Sequence, residues 1–149
     1  MNRSYTLTRW VLAIFLGAVI ISGCSKSQAE PESESDNTIL NYPLISPDSS
    51  RVGSISISQI AGGEARIVVQ LEKPVLSQYR PPFQPLLMDS LPLAVLTPID
   101  PSTGISETAP VRAANKNFTL GYGALLFNRN LKLLVEDADK KLITLTQIR

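Results

Sequence analysis

An antiparallel β-sandwich is the fold class this chain predicts, and three observations carry the prediction. Apolar and polar residues alternate with period two over Val52 to Ile60 and again over Ala65 to Glu72. Clusters of Gly, Pro, Asp and Asn cut the chain after Glu72 into short segments. No window of eleven or more residues between Thr38 and Arg149 repeats its apolar positions with helical period. About seven short strands with Greek-key-like connections are therefore expected over 39–149.

The hairpin comes first along the chain. Ile55 and Ile57 alternate with Ser54, Ser56 and Ser58; Ile67, Val69 and Leu71 alternate with Arg66, Val68 and Gln70. Gly62-Gly63 lies between the two runs, which predicts a hairpin with one face on a core and one on water. Pro74, Pro81, Pro82, Pro85 and Pro92 punctuate the next stretch. Proline donates no ladder hydrogen bond, so this region is expected to be a long connection or an irregular edge. Leu91 to Thr97 predicts a strand, closed by Pro98 and the turn residues Asp100 to Gly104. Ile105 to Val111 predicts a weaker strand broken by Pro110. Thr119 to Phe127 predicts a strand with a helical turn at its end. Leu131 to Val135 and Leu142 to Ile148 are expected to pair around the charged turn Glu136 to Lys141.

Composition narrows the chemistry. The net charge is +1 and no basic run occurs, which argues against a nucleic-acid partner. Histidine is absent, which removes the commonest general base and metal ligand, and Cys24 is the sole cysteine. Neither a catalytic site nor a metal or cofactor site is expected. Serines are many, but nothing in the sequence pairs one with an activating base. The carboxylates of Glu64, Glu72, Asp89, Asp100 and Glu107 are scattered rather than paired. Glu136, Asp137 and Asp139 fall close enough to hold calcium, yet lack the glycine and the bidentate glutamate of a calcium loop, so a solvated turn is the simpler reading.

The N-terminal region predicts an address. Arg3 and Arg9 precede an apolar run from Trp10 to Ile21, the order of a secretory signal. That run is about twelve residues, short of the ~20 that span a bilayer as a helix. It ends in Ile21-Ser22-Gly23-Cys24, which resembles the lipobox of bacterial lipoprotein signal peptides. The resemblance implies cleavage between Gly23 and Cys24, removal of 1–23 and a lipid on Cys24 that attaches the protein to a membrane. Residues 24–38 then form a tether. Glu30, Glu32, Glu34 and Asp36 repel one another, and no large apolar residue is present to offset ordering entropy, so disorder is expected. Ser25 follows the cysteine in place of the aspartate that retains enteric lipoproteins in the inner membrane. The outer membrane is thus the expected location, with the outer leaflet of the inner membrane as the alternative.

The order of strands and turns resembles a second family, the CHRD-like β-sandwich found in bacterial secreted proteins and lipoproteins and similar in topology to copper/zinc superoxide dismutase. The resemblance lies in the hairpin Gly53 to Leu71, in Leu93 to Asp100 followed by Thr103 to Thr108, and in Leu120 to Leu126. Members of that family often carry a Pro-x-His-x-His segment after the first hairpin. The corresponding region here is Ser77 to Pro85 and holds no histidine, so neither metal binding nor dismutase activity carries over. Within it, Tyr79, Arg80, Pro81, Pro82 and Phe83 form a candidate surface for an envelope protein or glycan, since proline-rich segments are pre-organised for recognition. The functional expectation is a non-enzymatic binding or structural module at the cell envelope, or else an accessory subunit of an envelope complex. A hydrolase or metalloenzyme with an unrecognised site is the least favoured reading.

Overall fold

Eight strands form two four-stranded antiparallel sheets in the computed structural model, which describes residues 38–114 and 117–148. The first sheet has the order β1-β2-β3-β6: β1 Leu40–Ile45, β2 Arg51–Gln59, β3 Ala65–Leu71 and β6 Ile105–Thr108. The second has the order β5-β4-β7-β8: β4 Gln84–Met88, β5 Pro92–Val95, β7 Lys132–Glu136 and β8 Leu142–Gln147. The chain crosses from β3 to the second sheet, makes the β4–β5 hairpin, and returns to set β6 against β3. It then crosses again to set β7 against β4. Those two returns make the connectivity Greek-key-like.

The period-two pattern fixes which side chains meet. Ile55 opposes Val69 and Ile57 opposes Ile67, all essentially fully buried. From the other sheet Leu87, Ala94, Leu133, Val135 and Ile143 close the core, with Phe83, Ile99 and Leu131 completing it from strand ends. Gly53 lies within β2 where a Cβ would sit 2.0 Å from the Gln70 carbonyl oxygen, so only glycine lets the two strands approach. Both open edges of the sandwich are closed by hydroxyls. On one side Thr144 Oγ1 donates to the Ile45 carbonyl at 2.6 Å and the Ile45 N–H donates to Thr146 Oγ1 at 3.0 Å. On the other the Thr97 N–H donates to Thr108 Oγ1 at 2.8 Å and Ser106 Oγ donates to the Thr97 carbonyl at 2.5 Å. Side chains thus satisfy backbone groups that an open sandwich leaves to water.

Eight strands agree with the expected sandwich of about seven. The structure departs from the sequence expectation in three places. β1 is an edge strand that the expectation omits; Leu40, Tyr42 and Leu44 turn inward and Asn41, Pro43 and Ile45 outward, so its alternation is real but diluted by a proline and a tyrosine. The proline-rich stretch contains β4, an interior strand rather than a loop. Pro85 is tolerated there because it lies near the strand start and contributes through its carbonyl, which accepts the Leu96 N–H at 3.1 Å. Two short helices also appear, α1 Lys73–Leu76 and α2 Tyr122–Phe127; α1 is not foreseen, whereas α2 is the expected helical turn, preceded by a single bridge at Thr119 rather than a strand. The Gly62-Gly63 turn is present, tightened into a 3₁₀ turn over Ala61–Gly63, with both glycines at positive φ.

Candidate functional site

The proline-rich candidate surface divides on folding. Phe83 is fully buried in the core and presents nothing to a partner, a correction that follows from its register: it bridges Ile99 and leads directly into β4. Tyr79 is half-buried against the core, with the Lys141 ammonium 4.7 Å from its ring centroid. Arg80 is exposed and pairs with Asp139 at 3.6 Å, and its carbonyl accepts the Ala138 N–H at 2.8 Å. Pro81 and Pro82 are exposed and joined by a cis peptide bond. This segment is thus stitched to the β7–β8 turn, leaving a narrow ridge of Arg80, Pro81 and Pro82.

The acidic turn has a structural occupation. Asp137 is buried, and its Oδ1 accepts the N–H groups of Asp139 at 2.9 Å and Lys141 at 2.8 Å. Burial disfavours its charge, but the backbone donors of Lys141, Arg80 and Asp139 outweigh this and hold the carboxyl below its ordinary range. Its oxygens are spent on capping the hairpin. Most of the scattered carboxylates are similarly engaged: Glu107 receives Arg66 at 2.8 Å, Glu72 lies 3.6 Å from Arg51, and Asp100 Oδ1 accepts from Ser102; Asp89 Oδ2 accepts from Asn128, while its buried Oδ1 has no hydrogen-bond partner among the described residues. The Arg66 hydrogen bond and charge lower the Glu107 pKa and raise that of Arg66. Among the described residues no three His, Cys, Asp or Glu side chains gather as a metal site would need.

The largest departure from ordinary surface chemistry lies on the outer face of the second sheet. Register places Val95 beside Leu86, Leu86 beside Leu134, and Leu134 beside Leu145. These four side chains alternate with core residues and so point away from the core, as one apolar row across all four strands. Val95 is 55% and Leu145 50% exposed; Leu86 and Leu134 are half-buried between them. With neighbouring strands about 4.8 Å apart the row is roughly 14 Å long. The flanking rows are mixed, with Met88 beside Lys132 on one side and Leu142 beside Glu136 on the other. Sequence reasoning reads each strand alone, and the row exists only across strands.

A cavity of about 470 Å³ opens at one end of the sandwich, between α2, the start of β1 and the end of β8. Ile57, Leu125 and Ile148 form its buried floor, and Arg129, Asn130 and Gln147 stand among its exposed lining. Tyr122, the first residue of α2, donates its hydroxyl to the Thr38 carbonyl at 2.7 Å, so this is also the end where the N-terminal segment joins. Gly23, Cys24, the signal segment 1–23 and all but the last residue of the tether lie outside the described residues.

Comparison with protein-family models, with curated proteins and with solved structures gives no match.

Proposed function

We propose that this protein is a lipoprotein held at the cell envelope through Cys24, and that its sandwich is a non-enzymatic binding module that docks an envelope protein on the outer face of the second sheet. One observation carries the docking half of this reading: the continuous Val95–Leu86–Leu134–Leu145 row. A water-facing antiparallel sheet is normally polar on its outer side, and a contiguous apolar patch there marks an interaction surface. The anchoring half is supported by Ile21-Ser22-Gly23-Cys24 and the basic and apolar segments before it. Ser25 favours the outer membrane over the inner. Kinship with the CHRD-like sandwich belongs to the same proposal and is supported by the Greek-key-like strand order and by the pairing of the hairpin Gly53 to Leu71.

The same row favours a second reading, an accessory subunit of an envelope complex. It crosses every strand of the sheet, so a subunit seated on it would touch all four. A paired experiment tests both halves. Metabolic labelling with a clickable fatty acid is expected to mark the wild type and not Cys24→Ala. Affinity capture from membranes is expected to retrieve one stoichiometric protein with the wild type and to lose it with Leu86→Ser/Leu134→Ser. Equal label on Cys24→Ala rejects the anchor; undiminished capture by the double variant rejects the docking face.

A further inference from the structure

We propose that the cavity beneath α2 binds a single-chain amphipath with an anionic head group, a fatty-acid-like molecule. Its volume of about 470 Å³ lies within the few hundred Å³ typical of small-ligand sites. At roughly 30 Å³ per small group it has room for on the order of a dozen heavy atoms. Its floor is apolar: Ile57, Leu125 and Ile148 are each at most 5% exposed, so a chain lying on them replaces water on surfaces that offer it no hydrogen bond.

Asn128, Arg129 and Asn130 bring polar groups to the mouth from the turn after α2, and Arg129 favours a negative charge. Among the described residues Arg129 is the one charged side chain in the lining, and it forms no ion pair with them. A guanidinium suits a carboxylate because two of its N–H groups match the two oxygens. The turn that carries it is held in place on both sides. Asn128 donates to Asp89 Oδ2 at 3.3 Å and accepts the Asn130 N–H at 3.0 Å, and Gln147 Nε2 donates to the Arg129 carbonyl at 3.0 Å. Asp89 is the one carboxylate these bonds bring near, and its Oδ2 faces Asn128 rather than Arg129. Leu126, 41% exposed and part of the lining, gives the chain an apolar path to enter.

The location fits such a ligand. Thr38 is bonded to Tyr122, so the tether meets the sandwich at the cavity end. About fourteen residues separate Cys24 from Thr38 and reach at most ~50 Å. Supply of the ligand from a bilayer rests on the anchored reading above; the chemistry of the cavity does not.

The test uses the full chain in phosphatidylcholine nanodiscs, with three photoreactive diazirine probes: dodecanoic acid, dodecanol and a phosphatidylglycerol. Labelled peptides are located by mass spectrometry. The acid is expected to label the peptides carrying Leu125 to Arg129 and Gln147 to Ile148, saturably, with competition by unlabelled dodecanoate. Arg129→Gln is expected to lower this roughly tenfold for the acid and leave the weaker alcohol labelling unchanged. Leu126→Trp, which fills the mouth from an exposed position, is expected to abolish both. Labelling of the same peptides by phosphatidylglycerol alone would overturn the single-chain assignment and make the ligand a bilayer lipid. Labelling spread equally over Leu91, Val95 and Leu145, or insensitive to competition by dodecanoate, would overturn the site. Acylation of Cys24 is read on its own peptide in the same spectra, so failure of the anchor and failure of the cavity are distinguishable.

Discussion

The outer faces of the two sheets differ most in their central rows. Across the first sheet, one register row reads Asn41, Ser56, Val68 and Glu107, and the next Pro43, Ser54, Gln70 and Ile105. Apart from Val68, its interior strands present serines, Arg66 and Gln70, groups that hydrogen-bond to water. Ser56 Oγ lies 2.5 Å from Asn41 Oδ1 and Arg66 pairs with Glu107 across strands, so this face satisfies itself without a partner. The central row of the second sheet is Val95, Leu86, Leu134 and Leu145, with no polar atom in its side chains. Both sheets obey the same alternation, and both cover the same core. The difference lies in what each holds towards solvent, and on the proposed reading the first face is left to water while the second makes the contact.

The largest expected effect separates the two sides of one strand. Leu133 and Leu134 are consecutive in β7, the first fully buried, the second half-exposed in the row. Leu133→Ala is expected to cost about 2–5 kcal/mol, since it removes core volume that neighbours refill only in part. Leu134→Ser is expected to change stability by no more than about 1 kcal/mol while abolishing capture of the partner. Urea unfolding of the two variants checks this; a large loss from Leu134→Ser would make the row structural rather than functional.

Gly53→Ala comes next, with an expected loss of about 1–3 kcal/mol. It drives a methyl into the Gln70 carbonyl and separates β2 from β3 at the heart of the wet sheet. Thermal unfolding should show a lowered midpoint with partner capture intact when measured well below it. Lost capture at that temperature would tie docking to the first sheet and break the comparison.

A seam connects the sheets, and a milder change tests it. Thr144→Val removes the hydroxyl that donates to the Ile45 carbonyl, at an expected cost of about 1–3 kcal/mol because that acceptor loses its partner. Amide exchange read by mass spectrometry should then quicken in the peptides spanning β1 and β8 before those of β2 and β3. Uniform quickening would contradict a local seam.

The smallest effect is one of pH. Asp137 and Glu107 have pKa values held below their ordinary range, by backbone donors in one case and by Arg66 in the other. The stability they contribute is fully present above the ordinary carboxylate pKa near 4, and is lost as pH falls through the lowered folded values. Unfolding midpoints should therefore hold steady from pH 7 to about 5 and decline below about 4. Asp137→Asn is expected to lower the midpoint at pH 7 and flatten that decline. A decline that is unaltered by Asp137→Asn would show that the hairpin cap does not couple to folding.

Legibility in the sequence depends on the range of each interaction. The β2–β3 hairpin is local: its alternation and its Gly-Gly turn sit within one short stretch, and the structure forms it. β4 is hidden because five prolines dominate its surroundings, yet the ladder needs Pro85 only as an acceptor. Phe83 reads as surface for the same reason, being an aromatic beside two prolines, and its burial depends on Ile99, far along the chain. The apolar row is the least legible feature. Val95, Leu86, Leu134 and Leu145 come from all four strands of a sheet assembled across a crossover, and no short window of sequence contains them together. The cavity draws on β1, β2, α2 and β8, and is illegible for the same reason.

The proposed docking reading requires that the second sheet's outer face be covered in the cell and the first sheet's be left to water. A photo-crosslinking amino acid placed at Leu134, and separately at Ser56, on the full chain in living cells measures this directly. Leu134 is expected to yield one discrete crosslinked protein of defined mass, and Ser56 none. Equal crosslinking from both positions, or none from Leu134 at native expression, would contradict it.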